Sequence, residues 1–474
     1  MDKFVNVSKA KKLMFVIGVY LGIFATISIA TADATFLPAA AKEIGGMDYW
    51  PIATTVSGLI SAVFMPILGA IAIRSFSNKK MQLIVAMIVG AVALATNIFA
   101  SSMLILIISR AFVGYATGCV LSVGFMGIGE MYSDEKERGK YLALSGTIMA
   151  ICMLFASVVA GLIIDHAGWR YVQLYHIPFF ILGIIFVAAG PNLQNEEKSS
   201  FKVAPDFLGI LGFSLFLGGF LFALSLGNSL VPWGTPLNLV FFAALVVGLV
   251  ILIAAIAKKK ERALIPLNVL KNRNFDLLFG SYAANVMSSM VIFIFLPTFI
   301  MFVQHQAATL AGIVMLVLNI PGIILGAVLG KVIVKTGTVK GSVLLISLGR
   351  VIALLLLALV VTASSPIWLM CVISFLAGMT SALGNSAFTT AGQIQLPRSL
   401  QAQAIPTLGV ASGIGSILGT VICTTFISQG IVAGFVPCLW ISIVVLAISM
   451  LLVLPLKNAK QIEETERAKS NLSN

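Results

Sequence analysis

Charge is scarce in this chain: Asp, Glu, Lys and Arg together make up 10% of its 474 residues. A soluble protein covers its surface with roughly a quarter charged residues, so a water-exposed globule is excluded. Histidine is rarer still, with three residues, His166, His176 and His305. They belong to no HExxH pair and no Ser-His-Asp set, and no GxxxxGK[ST] loop occurs, so hydrolytic chemistry and ATP-driven work lack their usual groups. The five cysteines, Cys119, Cys152, Cys371, Cys423 and Cys438, form no CxxC pair and sit in apolar runs. They read as small buried hydrophobes rather than metal ligands or redox pairs. Neither an enzyme nor a metal or cofactor site is expected.

What the chain has instead is hydrophobicity: 59% of its residues are apolar and the mean hydropathy is +1.07. Apolar runs of about 20 residues recur throughout, each long enough to cross the hydrocarbon core as a helix. The runs are too long and too continuous for barrel strands, and helices satisfy their own backbone in lipid. An all-α membrane protein follows. The spacing predicts about fourteen spans, over 12–36, 52–73, 81–101, 104–130, 141–164, 172–190, 206–226, 236–257, 276–302, 308–334, 341–363, 367–391, 404–427 and 433–456. The first run follows Lys9, Lys11 and Lys12 and is too long for the core of a cleaved leader, so it reads as a span.

The formal net charge of +13 has a topological explanation. Of the 30 Lys and Arg residues, only Lys42 and Arg170 fall on one side of this layout; Arg110 and Arg350 fall well inside spans, and Lys12 and Lys331 stand at the inner ends of theirs. The rest share the other side, the bias that marks the cytoplasmic face. An even number of spans returns both termini to that face. The expected setting is the bacterial cytoplasmic (plasma) membrane, with the lipid bilayer as partner and no nucleic acid.

Long polar connections are confined to the cytoplasmic side, around Glu196-Glu197-Lys198 and Lys258 to Arg262. They set off a two-span insert and divide the chain into a six-helix bundle (1–191), a linker with a two-helix insert (192–274), a second six-helix bundle (275–457) and a charged tail (458–474). A short internal repeat supports two related halves. Gly69 to Arg74 ends the second span, and Gly330 to Lys335, followed by Gly337, ends the tenth. Related halves around a substrate path are the common plan of secondary transporters.

Charges inside spans are costly and call for a reason. Asp33 lies in Thr31-Ala32-Asp33-Ala34-Thr35, near the outer end of the first span and before Pro38. A carboxyl in a poorly hydrated cavity has its charged form disfavoured, so it suits proton exchange or attraction of a cationic solute. The plain alternative is a helix-end carboxylate in interfacial water. Arg110, in span four, is followed by Gly114 and Gly118 on the same helix face. The glycines let another helix approach, and Asp33 is the expected partner of the guanidinium, unless Arg110 only ties helices through carbonyls. Arg350 reads equally as structural or functional. Asp206 and Asp276 suit helix starts, and Glu130, beside Asp134, Glu135 and Glu137, suits a solvated face. Small residues in span five (Gly146, Ala150, Ala156, Ala160, Gly161) and span thirteen (Gly409, Gly413, Gly415, Gly419) mark packing seams. The 31 Phe and 18 Met suit either lipid contact or a broad cavity wall.

Taken in order, these segments resemble the major facilitator superfamily, and within it the fourteen-span drug:proton antiporters. Thr31 to Pro38 looks like that family's first-span signature, with Asp33 as its acid. Arg110 and Gly114 match the fourth-span motif, whose Arg is implicated in proton coupling. Ala156-Ser157 and Ala160-Gly161 occupy the place of the span-five antiporter motif. Gly168-Trp169-Arg170 with His176-Ile177-Pro178 resembles the stretch before span six. Leu264 to Leu267, Asn272 to Phe275, Leu296-Pro297, Gln304, Ala311-Gly312 and Pro321-Gly322 continue the likeness. Departures are Ile73 and Val334 where the loop motif carries Asp, Ala156-Ser157 where the antiporter motif carries Gly-Pro, and His176 where Asn is usual. The resemblance implies a monomeric carrier that moves small amphipathic molecules outward against protons by alternating access. Asp33 and Arg110 would serve coupling, with Gly69, Arg74, Gly114, Ala156, Ser157, Gly161, Gly330, Lys335 and Gly337 in gating or helix packing. A metabolite or lipid carrier, or an importer, of the same fold is the second expectation, and a non-transporting membrane sensor a remote third.

Overall fold

Runs of Leu, Ile, Val, Ala and Gly that leave no polar side chain to compete for backbone bonds fold as helices throughout the computed structural model. It describes residues 7–72, 78–132, 134–193, 206–226, 233–259, 267–336, 339–396, 401–427 and 431–456. In chain order the helices are α1 (Lys9–Ile44), α2 (Trp50–Ala72), α3 (Lys79–Ile98), α4 (Met103–Met131), α5 (Glu135–Ala167) and α6 (Arg170–Ala189). Then come α7 (Phe207–Leu226), α8 (Pro236–Lys259), the single turn α9 (Leu267–Leu270) and α10 (Arg273–Thr298), which runs into a π-helical turn at Phe299–Val303. The series closes with α11 (Ala308–Thr336), α12 (Val339–Leu359), α13 (Ile367–Ile394), α14 (Gln401–Ile427) and α15 (Ile431–Val453). No β-strand occurs among the described residues.

Ten of these helices are long and apolar enough to cross a membrane. Four further segments, Trp50–Met65, Leu208–Leu224, Ala308–Gly322 and Ile367–Ser381, are apolar but shorter. They fall on the second, seventh, tenth and twelfth of the expected spans. Helix ends follow local chemistry. Asp134 accepts the Glu137 amide at 3.0 Å at the start of α5, and Asn272 accepts the Asn274 and Phe275 amides at 3.1 and 3.3 Å ahead of α10. Asp276 then stands in the first turn of α10, where the helix dipole favours an anion. Proline does not end α1: the helix passes through Pro38 and continues to Ile44. The expected boundary at residue 36 is therefore too early: within a membrane helix the carbonyl that proline frees can be re-satisfied by neighbouring helices, Ser/Thr side chains or water, so proline need not end the span.

The chain forms two compact units, residues 1–207 with 307–313, and residues 208–306 with 314–474. In the first, α1 packs on α4, α5 and α6, and α3 packs on α4 and α6. In the second, α10 packs on α13, α14 and α15, and α12 packs on α13 and α15. Substituting α10, α12, α13, α14 and α15 for α1, α3, α4, α5 and α6 turns one pattern into the other. The repeat extends to single glycines. A Cβ on Gly114 would collide with the Ser57 carbonyl of α2, and a Cβ on Gly378 would collide with the Leu318 carbonyl of α11. The two glycines occupy equivalent positions on α4 and α13, and each brings two backbones into contact. Of the residues first picked out as the repeat, Ile73, Arg74 and Gly337 lie outside the described residues, as do the side-chain positions at Gly69, Gly330, Val334 and Lys335.

Candidate functional site

A buried polar cluster lies inside the first unit, assembled from four helices. From α1 comes Asp33, from α4 Arg110, from α3 Asn97 and from α6 Gln173. Asp33 and Arg110 are fully buried, and Asp33 sits about three turns before the end of α1 rather than at its rim. The carboxylate Oδ1 lies 3.3 Å from Arg110 Nη2, within ion-pairing distance but not aligned as a hydrogen bond. Gln173 Oε1 accepts from Asn97 Nδ2 at 3.3 Å and from Arg110 Nη2 at 3.5 Å. The Phe36 ring, one turn beyond Asp33, lies 4.7 Å from the guanidinium, close enough for a cation–π contact. Next to Arg110, Ser109 donates to the Ala93 carbonyl at 2.7 Å and fixes α4 against α3.

This cluster leaves hydrogen-bonding capacity unused. Asp33 Oδ1, Arg110 Nε and Nη1, Gln173 Nε2 and Asn97 Oδ1 are buried without a hydrogen-bond partner in the protein. Buried polar atoms are nearly always satisfied, and a concentration of exceptions around one ion pair marks a place suited to water or solute. Chemically, the pair offers one exchangeable proton position and one fixed cation that must be neutralised by something.

One turn along α6, His176 is buried as well, not at an outer end as its place in the sequence suggests. Its Nδ1 donates to the Val172 carbonyl at 2.6 Å, and Nε2 lies 3.0 Å from Ser28 Oγ of α1. Gln173 and His176 thus project from one face of α6. Sequence reading missed Asn97, Gln173 and Ser28. The available signal was a neutral amide inside an apolar run, three residues before a histidine on the same face. His166 ends α5 exposed, and His305 is exposed in the connector after the π-turn.

Other expected residues fall elsewhere. Glu130 is exposed and also forms an ion pair with the fully buried Lys79 at 3.0 Å. Ser157 donates to the Thr31 carbonyl at 2.9 Å, tying α5 to α1 two residues before Asp33, and Ala156 is buried beside it. A Cβ on Gly161 would stand 2.6 Å from the Ala308 carbonyl. Just beyond, Asp165 accepts the Ala308 and Thr309 amides at 2.9 and 2.8 Å and the Thr309 hydroxyl at 2.5 Å. Gly168 takes φ +97°, a conformation open to glycine, and turns the chain into Trp169 and Arg170. Trp169 Nε1 donates to Glu43 at 2.8 Å, and Arg170 pairs with the same carboxylate. That stretch is a strap between the ends of α1 and α6, separate from the cluster.

The family profile described as Major Facilitator Superfamily matches residues 13–420. Multidrug transporter protein MdtP of Bacillus subtilis (strain 168) is 26% identical over 334 residues, a match spanning 69% of this chain and 60% of that relative. The chain therefore spans less than two thirds of MdtP. Multidrug resistance protein 3 of the same strain is 23% identical over 420 residues, covering 88% of this chain and 80% of the relative. Riboflavin transporter RibZ of Clostridioides difficile (strain 630) is 24% identical over 331 residues, covering 69% of each. Among solved structures, a variant of nucleoside transporter NupG aligns with a TM-score of 0.67 at 14% identity, covering 94% of this chain and 99% of that one. A peptide transporter, POT, aligns with a TM-score of 0.70 at 14% identity, covering 94% and 95%.

Proposed function

The chain belongs to the Major Facilitator Superfamily, and from that premise we propose that it moves small amphipathic molecules out of the cell by alternating access, coupled to protons at Asp33. It is a multi-pass membrane transporter and not an enzyme. The observation that carries the coupling is the Asp33–Arg110 pair, fully buried inside one helical bundle with unused donors and acceptors around it. Protonation of Asp33 cancels its charge and leaves the guanidinium to find another acceptor, for which Gln173 Oε1 is already in reach. A proton on Asp33 and a cationic group of the cargo paired with its carboxylate thus exclude each other. That exclusion is what an exchanger needs in order to link two fluxes.

Outward movement is supported by two relatives named for multidrug transport or resistance. The similarity to a riboflavin transporter favours the second reading, a metabolite carrier of the same fold. The remaining parts of the proposal rest on the hydropathy and charge pattern and on the family resemblance: fourteen spans of the drug:proton antiporter type, two six-helix bundles flanking a two-helix insert, a monomer, and both termini at the cytoplasmic face of the plasma membrane.

The test uses purified protein in liposomes with an imposed pH gradient and a panel of dyes and metabolites. Asp33→Asn is expected to abolish gradient-driven movement while leaving counterflow of the same solute measurable. Gradient-driven transport by Asp33→Asn at the wild-type rate would remove Asp33 from the mechanism.

A further inference from the structure

The second unit holds a guanidinium as deeply buried as Arg110 but, among the described residues, with no acid paired to it. Arg350 of α12 is 1% exposed. Its Nε donates to Thr380 Oγ1 at 2.7 Å, its Nη2 to Ser381 Oγ at 2.8 Å, and its Nη1 to the Asn285 carbonyl at 3.2 Å and to Ser289 Oγ. Every one of these oxygens is neutral. No acidic side chain among the described residues lies within ion-pairing distance of Arg350. The sequence explains why. Between residues 277 and 457 there is no Asp or Glu at all. Asp276 stands in the first turn of α10, more than two turns before Asn285, about 13 Å along the axis. A buried charge without a counter-charge is costly, and Arg never sheds its proton to escape the cost.

The hydroxyls around Arg350 are arranged in two layers. Thr380 is fully buried, whereas Ser289 and Ser381 are half-buried. These two serines receive the paired ends of the guanidinium, Nη1 and Nη2, so the forked end of Arg350 is the end that approaches the surface of the unit. Ser289 and Ser381 also donate back to the Asn285 and Ala377 carbonyls of their own helices at 2.8 and 3.1 Å. Such back-bonds are weak and readily given up. A planar carboxylate matches the two parallel N–H donors of the fork, and it supplies the missing charge.

We propose that Arg350, Ser289 and Ser381 form a binding site for the carboxylate of a small organic solute, in which the fork of Arg350 takes both oxygens and the two serine hydroxyls turn to donate to them. The site is separate from Asp33 and is assayed by binding alone, so its failure leaves the coupling proposal standing and the reverse also holds. Together with it, the proposal narrows the cargo to amphipathic solutes that carry a carboxylate.

Full-length protein in detergent is heated in rising concentrations of benzoate, with the neutral benzamide and sodium chloride at equal ionic strength as controls. Anything that binds only the folded state raises the unfolding temperature with a saturable dependence. Benzoate is expected to do so, and benzamide and chloride are not. Arg350→Gln is expected to lose the response and Asp33→Asn to keep it. Ser289→Ala and Ser381→Ala, which remove a half-buried hydroxyl and leave the fold intact, are each expected to weaken the apparent affinity roughly fivefold, as the loss of one hydrogen bond does. The proposal is overturned if benzoate and benzamide act alike, if chloride alone reproduces the benzoate response, or if both serine variants bind benzoate as tightly as the wild type.

Discussion

Separating the two members of the Asp33–Arg110 pair should cost more than removing both. In the folded protein Arg110 has three neighbours that answer its charge: Asp33 at 3.3 Å, Gln173 at 3.5 Å and the Phe36 ring at 4.7 Å. Taking away the carboxylate leaves a fully buried cation with one long hydrogen bond and one ring. Breaking a buried pair from one side costs about 3–5 kcal/mol. Asp33→Asn retains a carbonyl oxygen for Nη2 and belongs near the lower figure, while Asp33→Ala belongs near the upper one. Arg110→Gln should cost less than either, because a stranded carboxyl can take up a proton and become neutral, an option closed to a guanidinium. In Asp33→Asn/Arg110→Gln no charge is left, and two amides can bond to each other and to Gln173. The double variant should therefore lie within about 1 kcal/mol of the wild type; with about 3 kcal/mol for Asp33→Asn and about 2 kcal/mol for Arg110→Gln, the coupling energy is about 4 kcal/mol. Denaturant titration in detergent, followed by helical circular dichroism, supplies all four corners of the cycle. Additive losses to within about 0.5 kcal/mol would refute the reasoning, since they would mean that neither residue senses the other's charge.

Two further outcomes follow from the geometry. Gly114→Ala and Gly378→Ala each force a methyl into a neighbouring helix carbonyl, so each should destabilise by about 1–3 kcal/mol in the same titration, whereas Gly146→Ala, with open space around its position, should be neutral or slightly stabilising. Replacing Asp165 with Ala removes the acceptor for the Ala308 and Thr309 amides, with an expected loss of about 0.5–2 kcal/mol and faster amide exchange confined to the first turn of α11, read by mass spectrometry.

The helices were legible in the sequence because an apolar run of membrane length has few other ways to satisfy its backbone. Their ends were less so, since Pro38 inside α1 and Pro297 near the π-turn carry the same local signal as a stop. Asp33 and Arg110 stood out because a charge in lipid has to be explained. Asn97 and Gln173 did not, because an amide is tolerated in many settings and its partner is decided by how α3 and α6 are rotated, which a single span does not encode. His176 lies close to the start of its span, yet the face it shares with Gln173 turns it towards Ser28. The internal repeat was sought in cytoplasmic loop motifs. The structure displays it in helix pairing and in the positions of Gly114 and Gly378, where the demand is for the absence of a side chain and leaves only a lone glycine as its trace.

Those two glycines bear on how this protein can move. Where two backbones meet with no side chains between them, there is no compliant layer to shear. A slide of an ångström drives a carbonyl into the facing helix instead of tilting a rotamer. α2 with α4, and the Leu318 region of α11 with α13, should each travel as one stiff rod. Whatever bending a transport cycle requires is then pushed into the segments that lack this bracing, such as the stretch of α10 where the α-helical winding relaxes at Phe299.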